Sequence, residues 1–202
     1  MPRHVRILIA TLVASLAAGA ACRGGRDAQI RASYDESGKL RLLTYDSNKN
    51  GRPDTWSYMD GTRIVRVELD NNEDGIVDRW EYYGQAGTLE KVGTSRENDG
   101  RVDTWAYPAA DGSTARVEHS LRRDGQVSRT ERYEVGVLVS AEEDADNDGA
   151  VDKWEQYVDG RLASVGFDTE KAGRPTRQLV YDRSGRLLSG DGRGGNSHAG
   201  KP

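Results

Sequence analysis

A chain of 202 residues has room for one ordinary domain, but its composition supplies little material for a deep apolar core. Charged residues make up 31% of the chain, 24 residues are glycine, and the mean hydropathy is −0.79. These values argue against a large α/β enzyme. A net charge of −4 makes nucleic acid a poor partner, and one cysteine with three histidines excludes an internal disulfide and a zinc cluster of the usual spacing.

The N-terminal segment has the three parts of an export signal. Arg3 and Arg6 precede an apolar run that starts at Ile7, and small residues then lead to the sole cysteine, Cys22. The run is shorter than the ~20 residues that a membrane-spanning helix needs. An ordinary signal peptide is one interpretation, in which Cys22 is an incidental thiol.

The residues just before Cys22 point to a second interpretation. The sequence Gly-Ala-Ala-Cys at 19–22 resembles the lipobox of bacterial lipoproteins, although leucine is commonest where this chain has Gly19. The resemblance implies a signal peptide over 1–21, acylation of Cys22 (a palmitate-type anchor), and a flexible tether over 22–33. Arg23 follows the cysteine where enteric lipoproteins carry an aspartate retention signal, which by the same analogy implies the outer membrane of the cell envelope.

The rest of the chain is one motif repeated six times. The copies, called loops 1 to 6, are residues 46–56, 70–80, 95–105, 120–130, 144–154 and 168–178, and their glycines recur every 24 or 25 residues. A second glycine series alternates with the first, in turn-forming pairs such as Asp159-Gly160. This period predicts a repeat domain over 34–188, and the Gly-rich, polar residues 189–202 predict a disordered tail.

Short strands are the elements that best fit the segments between these glycines. The segments are rich in aromatic and β-branched residues, and each is too short for a stable helix. In the second repeat a helix would align Val77 with Trp80, so periodicity alone leaves the choice open, and length favours strands. We therefore predict an all-β protein, an antiparallel meander of hairpins joined by acidic loops. Residues 34–46 and 181–192 resemble the YD repeats of RHS proteins, which also form β-meanders.

Oxygen-bearing side chains recur at loop positions 1, 3, 5 and 9, with glycine at position 6. This pattern resembles the EF-hand calcium loop, in which positions 1, 3 and 5 supply side chains, position 7 a carbonyl and position 12 a glutamate. The resemblance implies complete Ca²⁺ ligand sets in loop 2 (Asp70, Asn72, Asp74, Ile76, Asp78, Glu81) and loop 5 (Asp144, Asp146, Asp148, Ala150, Asp152, Glu155), and a weaker one in loop 1 (Asp46, Asn48, Asn50, Asp54).

The loops leave three questions open. Loop 3 is doubtful, and loops 4 and 6 lack the ligands. Position 12 follows a tryptophan on a predicted strand, so it points to the opposite face, and whether its glutamate reaches the metal is unsettled. The alternative interpretation of every loop is a hydrogen-bonded Asx turn without metal, although several carboxylates within 12 residues repel one another unless a cation is present.

Aromatic residues recur in columns and suggest a different function. The columns are Trp56, Trp80, Trp105 and Trp154, with Tyr58, Tyr82, Tyr107 and Tyr157. They fit either a core or a metal-independent glycan- or wall-binding surface.

No catalytic set is evident, and we expect a protein that is not an enzyme and has no small-molecule substrate. The favoured hypothesis is an exported, lipid-anchored, calcium-binding repeat protein with a structural or interaction role, whose partner is an envelope protein or polysaccharide.

Overall fold

The computed structural model describes residues 29–190, and every regular element in that range is a β-strand. The strands are β1 Ile30–Tyr34, β2 Leu40–Tyr45, β3 Thr55–Asp60, β4 Arg63–Leu69, β5 Arg79–Tyr83, β6 Leu89–Thr94, β7 Thr104–Pro108, β8 Thr114–His119, β9 Arg129–Glu134, β10 Val137–Glu143, β11 Lys153–Val158, β12 Arg161–Phe167, β13 Arg177–Tyr181 and β14 Leu187–Gly190. The predicted all-β meander is confirmed.

All fourteen strands form one antiparallel sheet in which the spatial order is the chain order. Each strand contacts only the strands beside it, so the fold is a single layer built repeat by repeat. The sheet extends past the predicted repeat domain at both ends. Residues 30–33, assigned to the tether from the sequence, pair with β2, and Ser189 and Gly190, assigned to the tail, pair with β13.

The two kinds of connection lie at opposite ends of the strands, and each series forms one edge of the sheet that runs across all the strands. The turns on one edge are tight and contain residues with positive φ, a conformation that glycine adopts readily. In Asp159-Gly160 the φ values are 51° and 70°. Loops 1 to 6 lie side by side on the other edge, which we call the loop edge. Successive loops are two strands apart, a distance of about 10 Å in any antiparallel sheet.

The strand register separates two faces. Trp80 lies opposite Glu68 on one neighbouring strand and opposite Gly93 on the other, and Gly93 in turn lies opposite Trp105. We call this side the tryptophan face. A Cβ on Gly93 would lie 2.9 Å from the Trp105 ring, so glycine is what lets that ring lie against the sheet.

The opposite side, the glutamate face, holds most of the buried aliphatic side chains. Its central row includes Val67, Val92, Ala141 and Val165 from even-numbered strands, all buried. Odd-numbered strands contribute glutamates to the same row, at 81, 131 and 155. The four tryptophans are half-buried. The thin core is therefore aliphatic and lies on the face opposite the tryptophans.

Candidate metal centre

All six loops share one framework of side chain to backbone hydrogen bonds. In loop 5 the Asp144 carboxylate accepts from the N–H groups of Asp148 and Gly149, at 3.1 and 2.9 Å. Asp152, at position 9, accepts from the N–H of Ala145 at 3.1 Å. The residue at position 4 and the glycine at position 6 both have positive φ, 64° at Asn147 and 91° at Gly149. These bonds fold the chain back on itself.

Loop 4 keeps the framework with serines in place of the carboxylates at positions 1 and 9. Ser120, at position 1, accepts from the N–H of Gly125 at 3.2 Å, and Ser128, at position 9, accepts from the N–H of Leu121 at 3.0 Å. Loop 6 likewise uses Thr176 at position 9. A hydroxyl therefore suffices to fold the loop, and the carboxylates of loop 5 supply more negative charge than folding requires.

Loop 5 brings three carboxylates together. Ligand oxygens of Asp144, Asp146 and Asp152 lie within 4.8 Å of one another, the one group of three such side chains that residues 29–190 contain. All three are at least partly exposed, so a cation has access. The three aspartates could hold a metal ion.

Two predicted side-chain ligands of loop 5 lie outside that group. Asp148 forms an ion pair with Lys171 of loop 6, at 2.5 Å, which with the N–H of Ala150 holds the pKa of Asp148 below its usual range. Glu155 lies on the glutamate face, bonded to Arg129 at 2.7 Å and to Lys153 at 2.8 Å. The group of Asp144, Asp146 and Asp152 thus contains three of the predicted side-chain ligands. The glutamate at position 12 instead bonds to other side chains on the sheet.

Loops 1 and 2 have the predicted residues in place but do not form such a group. In loop 2, Asp70 accepts from the N–H of Gly75 at 2.8 Å, Asp74 from that of Ile76 at 2.8 Å, and Asp78 from that of Asn71 at 2.9 Å. Asn72 donates its amide to Asp74 at 2.9 Å.

Loop 1 repeats these bonds. Asp46 accepts from the N–H of Gly51 at 2.7 Å, Asn48 from that of Asn50 at 2.8 Å, and Asp54 from that of Ser47 at 2.7 Å. Burial opposes ionisation of Asp54, but bonds from Ser47 outweigh it and lower the pKa of that carboxyl.

Position-12 glutamates belong to a recurring triad on the glutamate face. Glu81 accepts from Arg79 at 2.9 Å and from the Tyr83 hydroxyl at 2.6 Å. The triad recurs as Arg129, Glu131 and Tyr133, and as Lys153, Glu155 and Tyr157. Loop 4, which has no ligand set, precedes one of these triads. The glutamate therefore occurs together with a cationic residue two positions before it and a tyrosine two positions after it. It does not depend on an acidic loop.

The triads of β9 and β11 join in one ionic cluster around Arg129. Its guanidinium bonds to Glu131, Glu143 and Glu155 at 2.9, 3.0 and 2.7 Å, and its side chain is 15% exposed. Hydrogen bonds from His119, Tyr133 and Arg129 lower the pKa of Glu131 to about 2, against the effect of burial. Burial likewise opposes ionisation of Glu155, but Arg129, Lys153 and Tyr157 lower its pKa to about 2. The sequence pattern R/K-x-E-x-Y, at 79–83, 129–133 and 153–157, marks these triads.

The aromatic columns differ from the sequence prediction in one member. Tyr157 bonds to Glu155 on the glutamate face, because it lies three residues after Trp154 where the other tyrosines lie two residues after theirs. On the tryptophan face, Arg66 stacks over Tyr58 at 4.2 Å and Arg116 over Tyr107 at 4.1 Å. Lys91 lies 4.1 Å from the Trp105 ring centre. These ring faces are covered by the protein's own cations.

Residues 1–28 and 191–202, which include the predicted signal peptide, Cys22 and most of the predicted tail, lie outside the described residues. Within 29–190, no helix has the length and hydropathy needed to cross a membrane.

Comparison with known proteins gives only weak structural similarity. No family model matches the chain, and no curated protein does. A chain in the crystal structure of accessory secretory protein 1,2 and 3 in Streptococcus pneumoniae is similar, with a TM-score of 0.39 and 14% identity. The match covers 53% of this chain and 19% of that one.

Proposed function

We propose that the chain is an exported calcium-binding repeat protein in which Ca²⁺ braces the loop edge of the sheet. The observation that carries the proposal is the convergence of Asp144, Asp146 and Asp152 in a loop whose framework serine can also form. The donors are all oxygen, which hard cations prefer, and calcium tolerates the irregular geometry of a loop better than magnesium does.

The expected role of the metal is structural. A single-layer sheet has a thin core, and each repeat packs only against the repeats beside it. An ion bound only by the folded loop stabilises the fold by RT ln(1 + [L]/Kd), about 1.4 kcal/mol at a tenfold excess over Kd. Extracellular calcium modules have Kd values of ~10⁻⁴ to 10⁻³ M, which suits a millimolar external supply.

The proposed location follows from the sequence of residues 1–22. Acylation of Cys22 would tether the repeat domain at the cell envelope, at the outer membrane by lipoprotein analogy, where the sheet meets an envelope protein or polysaccharide. Metabolic labelling with palmitate tests the anchor. We expect label on the wild-type protein and none on C22S, and equal labelling of the two would contradict it.

Thermal unfolding tests the calcium proposal. We expect millimolar Ca²⁺ to raise the melting temperature above that in chelator, and D146A to lose the increase, because Asp146 is an exposed member of the group. D111A is the matched control, since Asp111 is an exposed aspartate in the turn between β7 and β8, at the opposite end of the strands from the loops. A calcium-induced increase that persists in D146A, or is absent from the wild type, would contradict the proposal.

A further inference from the structure

The residue at loop position 4 reaches the preceding loop in loops 2, 4 and 6. Its backbone has positive φ in every loop, from 53° at Lys171 to 64° at Lys49 and Asn147. Three of these side chains make polar contacts with the loop before their own: Glu73, Arg123 and Lys171. The contacted residues are those at positions 3, 5 and 9, which the calcium pattern assigns as ligands.

Glu73 brings an acid to loop 1. Its carboxylate accepts from the side-chain amides of Asn48 and, at 3.3 Å, of Asn50. Loop 1 has only two carboxylates of its own, Asp46 and Asp54, and has Ser57 at position 12. The next loop thus supplies a third carboxylate beside the two neutral ligand side chains.

Arg123 and Lys171 bring cations instead. Arg123 contacts Asp99 of loop 3 at 2.5 Å and the fully buried Asp103 at 3.7 Å. Lys171 contacts Asp148 and Asp146 of loop 5 at 2.5 and 3.4 Å. Both cations come from loops 4 and 6, whose own ligand sets are missing. A positive side chain beside these carboxylates repels a divalent cation and so weakens its binding there.

We propose that the position-4 side chains of loops 2, 4 and 6 set the cation occupancy of the loop before each of them. Glu73 supplies loop 1 with an oxygen ligand from the neighbouring repeat. Arg123 and Lys171 are tethered cations that neutralise loops 3 and 5 and must be displaced before an external ion binds. The predicted changes in metal affinity rest on the proposed calcium function. The ion pairs of Lys171 also predict a change in melting temperature without metal.

Substitution of Lys171 tests the proposal at loop 5. The affinity is read from Tb³⁺ emission sensitised by Trp154, taken as the part of the signal that W154F loses, with Ca²⁺ as competitor. We take the Lys171 ammonium and the bound cation to be about 7 Å apart in screened water. The cation affinity of loop 5 should then rise about threefold in K171Q and about tenfold in K171E. At loop 1, followed in the same way with W56F, E73K should weaken binding.

Lys49 provides the matched control. It occupies position 4 with the same backbone conformation, but within residues 29–190 no acidic loop precedes loop 1. K49Q and K49E should leave the affinity of loop 5 unchanged. Binding in the wild type with no change in K171Q and K171E would overturn the inference while leaving the proposed function intact.

A measurement in chelator keeps the inference testable if the wild type binds no cation, a result that would overturn only the proposed function. Without metal, Lys171 is the cation from another loop that contacts the loop 5 acids. We expect K171Q to melt about 1 °C below the wild type at low salt, whereas K49Q should melt at the wild-type temperature. Equal melting of K171Q and K49Q in chelator would overturn the tethered-cation role.

Discussion

Loops 4 and 5 have the same backbone framework and opposite charge. Residues 120–130 include three arginines and one aspartate, whereas residues 144–154 include four aspartates and one lysine. Serines at positions 1 and 9 of loop 4 accept the backbone bonds that aspartates accept in loop 5. The comparison shows that folding of the loop needs an acceptor and not a charge, so the converging carboxylates of loop 5 call for another explanation.

What the two repeats share is equally informative. Each continues into a strand with a cation, a glutamate and a tyrosine on the glutamate face, and Arg129 bonds to the glutamates of both. The shared residues hold the sheet together, and those that differ are at the loop edge. Substitutions in each group should therefore affect different measurements.

The largest loss of stability is expected for R129A. It leaves Glu131, Glu143 and Glu155 without their common partner in a mostly buried cluster. We expect the free energy of unfolding to fall by about 3 kcal/mol in chemical denaturation. R132A, on the same strand but on the tryptophan face and 53% exposed, should change it by under about 0.5 kcal/mol. Equal effects of the two would show that the cluster contributes nothing specific.

Acid should weaken the same cluster. Glu131 and Glu155 have pKa values of about 2, below the unfolded value near 4.5, so their contribution to stability is complete above that value. It is lost as the pH falls from about 4.5 towards 2, because the unfolded chain then binds protons more readily than the folded one. The double variant E131Q/E155Q should lose less stability than the wild type over that interval. Parallel pH profiles would contradict these pKa values.

A smaller loss of stability is expected for E155Q. This variant distinguishes stabilisation of the sheet by the position-12 glutamate from coordination of the metal by it. The substitution removes the charge that Arg129 and Lys153 face, and should lower the free energy of unfolding by about 2 kcal/mol. The calcium affinity measured by calorimetry should not change, since Glu155 lies on the sheet face. A tenfold weaker affinity would return Glu155 to the ligand set.

The repeat pattern was enough to predict the strands, the alternating connections and the acidic loop edge, because each is a local property of one repeat. The grouping of Asp144, Asp146 and Asp152 out of a longer ligand list was not predictable, since it depends on how the loop closes. The partners of Arg129 and Lys171 were also missed because they lie on neighbouring repeats, and only the strand register brings them together. Aligning position 4 across the six loops would have revealed its change of charge.

The smallest change in stability, and the sharpest change in binding, is expected for D144S/D152S. This variant gives loop 5 the serines that loop 4 has at positions 1 and 9, so the framework bonds persist. We expect the free energy of unfolding in chelator to stay within about 1 kcal/mol of the wild-type value.

The most direct test of the calcium account is a Tb³⁺ titration of wild type and D144S/D152S, with Trp excitation and Ca²⁺ competition. The wild type should show sensitised emission that millimolar Ca²⁺ displaces, and the folded variant should lose the part that depends on Trp154. Identical emission from both proteins, or none from the wild type, would contradict the assignment of loop 5 as a calcium site.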